Sequence, residues 1–168
     1  MLCDEKRNLM VWLGSVNEDM HGFVIDSLVK LNATKQKRIT FVLSTEGGDT
    51  AVAFALYDLI RSNAKPVRII VNGTCASSGT LILQAGSERL AFEHSHFLIH
   101  FGEQGGSSEA EFKFDQRQHA KWVELMTLGT KGKTSQRDME QMHRGETYLM
   151  ASEALLHGLI DGITKEIQ

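Results

Sequence analysis

Pro66-Val67-Arg68-Ile69-Ile70-Val71-Asn72-Gly73-Thr74-Cys75-Ala76-Ser77-Ser78-Gly79-Thr80-Leu81-Ile82-Leu83-Gln84-Ala85 is the stretch that decides how this chain folds. Pro66 fixes its own φ and lacks an N–H, so it opens an element. The β-branched run Val67–Val71 after it reads as a buried strand. Gly73 breaks that strand, and small residues lead to Leu81–Ala85, an apolar segment that reads as a helix. A strand, a small-residue turn and a helix make up the first two parts of a βαβ unit.

The same alternation extends in both directions. Leu9–Leu13 is a short apolar run closed by Gly14, a first strand. Asn17 caps a helix in which Met20, Phe23, Val24, Leu28 and Leu31 recur at helical spacing. Ile39–Leu43 is a second strand, and Ser44-Thr45-Glu46-Gly47-Gly48 turns into a helix capped by Asp49 or Thr50 and running through Ile60. Beyond the central stretch, Leu90–Phe92 and Phe97–His100 are strand-like, and Gly102–Ser108 is rich in Gly and Ser. A long helix from Glu109 to Thr127 then carries Phe112, His119, Val123 and Met126 on one stripe. Ser135 and Asp138 form a capping pattern for a helix reaching toward His143. Ser152 caps a last short helix, which Gly158 ends before Leu159-Ile160-Asp161. Such a βαβαβα rhythm implies an α/β fold with a mostly parallel sheet, covered by helices, whose loops at the strand C-termini carry function. Thr45–Gly48, Gly73–Gly79 and His100 all follow strands.

A chain of 168 residues makes one domain, and 42% apolar with 23% charged residues suits a folded protein. Eighteen basic against twenty-one acidic residues leave a net charge of −3, with no footprint for nucleic acid. The one basic cluster, Lys35–Arg38, reads as a solvated turn. Polar residues interrupt the uncharged stretch Ile69–Ser87, so it reads as core and no membrane span is expected. Met1–Asn8 is charged and lacks the apolar region of a signal peptide. Cys3 and Cys75 are too few for a disulfide framework or a zinc site, which makes a reducing, intracellular compartment the default.

Three segments carry candidate chemistry. Ser77 and Ser78 sit where a strand meets a helix, and either can be a plain cap or a nucleophile beside free backbone N–H groups. Glu46-Gly47-Gly48 offers a backbone that a ligand can approach closely. His100 ends an apolar strand. His94 and His96 form an H-x-H without a third ligand, so no metal is expected. Cys75 reads as a small core residue.

Taken in register, these segments resemble the proteolytic subunit of the Clp protease from Leu9 to Ile163. Thr45-Glu46-Gly47-Gly48 is similar to that family's Ser-Pro-Gly-Gly oxyanion turn, and Gly73-Thr74-Cys75-Ala76-Ser77-Ser78-Gly79 to its G-x-A-A-S-M-G nucleophile turn. Leu98-Ile99-His100 matches M-I-H, and Glu153-Ala154-Leu155-Leu156-His157-Gly158-Leu159-Ile160-Asp161 matches E-A-x-x-x-G-L-I/V-D. The resemblance implies the repeated ββα spiral shared with crotonases, with a protruding strand-helix handle over residues 102–130. It implies Ser77 as nucleophile, His100 as base, the N–H groups of Gly48 and Ser78 as oxyanion hole, and Gly47 as a substrate contact. No cofactor is implied. The family's catalytic aspartate falls on Glu146 by counting back from Gly158, with Asp138 and Asp161 as the alternatives. Glu46 replaces the family's proline and brings a negative charge near the oxyanion turn.

The expected activity is a serine endopeptidase acting on peptides or unfolded polypeptides. The expected assembly is stacked, heptameric rings in a cytoplasm, a plastid stroma or a virus-infected cell. Only eight residues precede the first expected strand, where the family carries an axial loop and helix. That counts against an AAA+ unfoldase partner while leaving it open. The rival readings are a ring subunit with a slow or inactive site and an acyl-CoA enzyme of the crotonase type.

Overall fold

The computed structural model describes residues 1–102 and 108–167; of the Gly- and Ser-rich start of the expected handle, 102–108, residues 103–107 lie outside the described residues. In chain order the elements are β1 (Leu2–Asp4), β2 (Leu9–Leu13), α1 (Glu18–Asn32), β3 (Ile39–Thr45), α2 (Thr50–Arg61), β4 (Val67–Ala76) and α3 (Ser78–Gln84). There follow β5 (Glu88–Phe92), β6 (His96–Ile99), α4 (Glu109–Gly129), α5 (Gln136–Arg144), β7 (Thr147–Met150), α6 (Ala151–His157) and β8 (Gly162–Thr164). The sheet runs β1-β2-β3-β4-β5-β8, parallel from β2 onward, with β1 antiparallel at its edge. A second layer of pairing starts at the end of β4, where β6 lies parallel to it and β7 antiparallel to β6.

Gly73 does not end the third expected strand; it bends it. Its φ of +93° is accessible to glycine at little cost, and the register with β3 shifts between Leu43 and Thr45. Before the bend β4 pairs with β5, and after it Thr74–Ala76 pairs with β6. Ser95 fills the gap: its hydroxyl donates to the Val71 carbonyl (3.0 Å) and accepts from the Gly73 N–H (3.3 Å). This fork carries the chain end of β4 away from the main sheet and toward His100.

Alternation along the strands sorts the core. Phe41, Leu43, Ile69 and Val71 point to the helix-covered face with Met20, Leu28 and Leu56, while Leu9, Val42 and Ile70 form a smaller cluster on the other. Each fully buried side chain of this size contributes roughly 1.5–3 kcal/mol. Arg89, 2% exposed, ties the C-terminal elements down. It donates to both carboxylate oxygens of Asp161 (3.0 and 2.7 Å) and also to Gln84 Oε1 and the Gly129 carbonyl.

Several boundaries differ from the sequence reading. Residues before Leu9 hold β1, joined to β2 by a turn in which Asp4 accepts from the N–H groups of Lys6 and Arg7. The third helix starts at Ser78, three residues before Leu81. Ser152 lies inside α6; Met150 is the cap position, and Glu153 accepts its N–H (2.8 Å) because β7 runs straight into the helix. Strands β7 and β8 were not expected, being short and flanked by charge. Phe112 is 45% exposed, because the first turns of α4 stand clear of the body; only His119, Val123 and Met126 of that stripe are buried. Asn17, Asp49, Ser135 and Gly158 occupy the expected cap positions.

Candidate active site

The turn between β4 and α3 is a single residue, Ser77, held at φ +53°, ψ −128°. A non-glycine residue there costs about 1–3 kcal/mol and persists only if its surroundings enforce it. They do so on both sides. The Ser77 N–H donates to the Leu98 carbonyl (2.8 Å), and the Ser77 carbonyl accepts from the Thr80 N–H (2.9 Å) and hydroxyl (2.7 Å). Ser77 occupies the N-cap position, yet its side chain makes no capping hydrogen bond. Its hydroxyl is therefore not spent on the helix, which separates it from an ordinary cap serine.

Small residues around Ser77 are forced by close approach. A Cβ on Gly47 would lie 2.6 Å from Ser77 Cβ and 2.9 Å from the Ala76 carbonyl oxygen. One on Gly79 would lie within 2.3 Å of Thr45 Cγ2. Thr45 in turn accepts the Gly47 N–H on its hydroxyl (3.0 Å), fixing the turn against the serine. Val16 brackets this turn: its N–H donates to the Gly47 carbonyl and its carbonyl accepts from Asp49. The Gly48 N–H has no acceptor among the described residues of this loop, and Ser78, the first residue of α3, has no intrahelical acceptor for its own. Two N–H groups beside one unused hydroxyl suit a developing oxyanion. Glu46 is exposed, on the solvent side of buried Gly47.

His100 follows β6, whose Leu98 pairs with Ala76, so it emerges beside Ser77. The antiparallel register of β6 and β7 pairs Ile99 with Thr147, which sets Glu146 opposite His100. Nδ1 of His100 lies 3.8 Å from Glu146 Oε1, with the imidazole 23% and the carboxylate 68% exposed. Glu146 itself sits at φ +50°, directly after the α5 cap Gly145. The other two carboxylates are occupied elsewhere: Asp138 with the Ser135 hydroxyl (2.6 Å), Asp161 with Arg89 and Lys131. No hydrogen bond joins Ser77 Oγ to His100 among the described residues.

Behind His100 lies a cluster that the sequence did not reveal. Phe101 stacks on His119 with ring centroids 4.1 Å apart, and Trp122 and His143 close around them. The Phe101 N–H donates to the His143 carbonyl (3.3 Å), tying the end of β6 to α5. His143 Nδ1 contacts the Met139 carbonyl (2.9 Å), which requires a proton on that nitrogen. Burial lowers the His143 pKa to about 4, against that hydrogen bond, and neighbouring His119 and His100 lower it further. His119 is lowered too, by burial and then by Arg144. His119 was visible only as one position of an apolar stripe, and nothing in sequence spacing connects it to His143. Cys75 is fully buried, and burial pushes its thiol up, as suits a core residue. Among the described residues, no group of three His, Cys, Asp or Glu side chains could hold a metal.

The family model described as Clp protease matches residues 3–167. The ATP-dependent Clp protease proteolytic subunit of Pleurastrum terricola is 28% identical over 98% of this chain and 87% of its own length. Those of Citrus sinensis and Ligilactobacillus salivarius are each 30% identical, over 92% and 95% of this chain and 83% and 84% of theirs. Among solved structures, a ClpP1 variant from Listeria monocytogenes superposes with a TM-score of 0.89 at 21% identity, covering 96% of this chain and 94% of its own; that likeness bears on the fold. Fold, serine turn and family match agree over nearly the whole length, and the chain belongs to the Clp protease family.

Proposed function

We propose that this chain is a serine endopeptidase of the Clp proteolytic type, cleaving peptides or unfolded polypeptides at Ser77. The observation that carries the reading is the backbone of Ser77, held in a left-handed conformation between β4 and α3 with its hydroxyl unused. His100 takes the Ser77 proton as Oγ attacks the peptide carbonyl. The carbonyl oxygen becomes an oxyanion and receives the N–H groups of Gly48 and Ser78. As the tetrahedral intermediate collapses, the C–N bond breaks and the His100 imidazolium gives its proton to the leaving amine. Water then repeats the sequence on the acyl-serine, with His100 as base. Glu146 orients His100 and stabilises its charged form. An extended substrate segment adds as a strand beside the serine, with Gly47 in the turn that it contacts.

Self-association into stacked rings, heptameric as in the resemblance, is part of the same reading. Support comes from Phe112 and Phe114, 45% and 51% exposed on the projecting end of α4, an unusual cost for aromatic rings facing water. No helix among the described residues is long and apolar enough to cross a membrane. A cytoplasmic or stromal setting fits the two free cysteines.

The test is digestion of a reduced, carboxymethylated protein by the assembled chain. Fragments that disappear in Ser77→Ala and in His100→Ala are expected. An intact substrate, with the chain shown by sizing to be in rings, would refute the reading.

A further inference from the structure

We propose that the cleft beside Ser77 selects a basic side chain, lysine or arginine, at the residue whose carbonyl the serine attacks, through the carboxylate of Asp115. The inference rests on the peptidase reading above and names its substrate class.

The cleft has a volume of about 280 Å³. Gly48, Ser77, Phe101 and Trp122 line it, together with Asp115 and Gln118 from α4. These last two are three residues apart, so they share one helix face. Among the described residues that line the cleft there is no lysine, arginine or histidine, and Asp115 is the one that carries a formal charge. Asp115 makes no hydrogen bond or ion pair among the described residues. The nearest lysine in sequence, Lys113, is bonded to Glu109 (2.6 Å).

Position assigns the cleft to the acyl side of the scissile bond. Its lining includes Gly48, whose N–H is assigned to the oxyanion, and does not include His100, which protonates the leaving amine. The residue contributing the carbonyl thus places its side chain here. The aromatic walls suit the alkyl stem and the cation of a long basic side chain. An apolar side chain would cover the Asp115 carboxylate and strip its water without replacing it, and an acidic one would be repelled. A single charge-assisted hydrogen bond in such a place gives about 10- to 100-fold discrimination.

The test compares diphenyl phosphonate probes carrying an arginine-like, a leucine or a glutamate side chain. Each loses phenoxide as Ser77 Oγ bonds to phosphorus, and the rate of labelling is read by intact mass. Every rate is divided by the same variant's rate with a simple fluorophosphonate, which has no side chain to place. In the wild type the arginine-like probe should label about 10- to 100-fold faster than the leucine probe. Asp115→Asn should bring that ratio toward one, and Asp115→Lys should favour the glutamate probe. A leucine probe that labels as fast as the arginine-like one, a preference that survives Asp115→Asn, or silence of all three while the fluorophosphonate reacts would each overturn the inference. Failure of the fluorophosphonate itself would instead remove the peptidase reading, and the preference with it.

Discussion

Glu146 stands opposite His100 because β6 and β7 pair Ile99 with Thr147, and the next pair outward brings carboxylate and imidazole to 3.8 Å. The separation exceeds a hydrogen bond but lies within reach of one side-chain rotation. Glu146 holds its backbone in the left-handed region, at φ +50°.

If Glu146 orients His100, Glu146→Gln should lower kcat by about 10²- to 10³-fold, less than the ~10⁴-fold known for a buried triad aspartate. The smaller effect follows from its 68% exposure. KM should change little, since the interaction matters most once the imidazole is charged. Steady-state hydrolysis of a fluorogenic peptide reads both constants, and an unchanged kcat would remove Glu146 from the mechanism.

Gly47→Ala should abolish labelling of Ser77 at a modest cost in stability, about 1–3 kcal/mol. The new methyl would stand 2.6 Å from Ser77 Cβ at a φ of +95°. Thermal unfolding checks that the chain still folds. Normal labelling in a folded variant would show that the turn is not packed on the serine.

Asp161→Asn should cost about 3–5 kcal/mol, because Arg89 would be left buried without its counter-ion. Burial alone would raise the Asp161 pKa, but hydrogen bonds from Arg89 and Lys131 hold it well below the usual carboxylate range. A depressed carboxylate stabilises the fold above the unfolded value near pH 4 and loses that contribution as pH falls below it. Urea unfolding across this range should therefore show a shallower acid limb in the variant than in the wild type.

His143 adds a second pH dependence at higher pH. Its folded pKa of about 4 lies below the ordinary 6.5, so the unfolded chain takes up the proton first and stability falls between those two values as pH drops. The loss is up to about 3 kcal/mol. His143→Gln should flatten this limb and leave the one from Asp161. An unaltered slope between pH 6.5 and 4 would mean that His143 is already solvated in the folded chain.

Much of the fold was legible because its core strands are apolar runs bounded by glycine and its helices carry ordinary caps such as Asn17, Asp49 and Ser135. The resemblance in turn named Gly47, Gly48, Ser77, Ser78, His100 and Glu146; the structure packs Gly47 against Ser77 and sets Glu146 opposite His100. Strands β7 and β8 were not legible, since Thr147–Met150 and Gly162–Thr164 are stabilised by partners distant in sequence rather than by local pattern. The bend at Gly73 was read as a strand end because a glycine in an apolar run signals a break equally well in either case. The pairing of His119 with His143 across α4 and α5 leaves no local trace.

The most direct measurement is intact mass after treatment with a fluorophosphonate, on the wild type, Ser77→Ala and His100→Ala. One adduct per chain is predicted in the wild type, none in Ser77→Ala, and a much slower reaction in His100→Ala. Absence of any adduct on protein assembled into rings would contradict the account and leave a ring subunit without a working nucleophile.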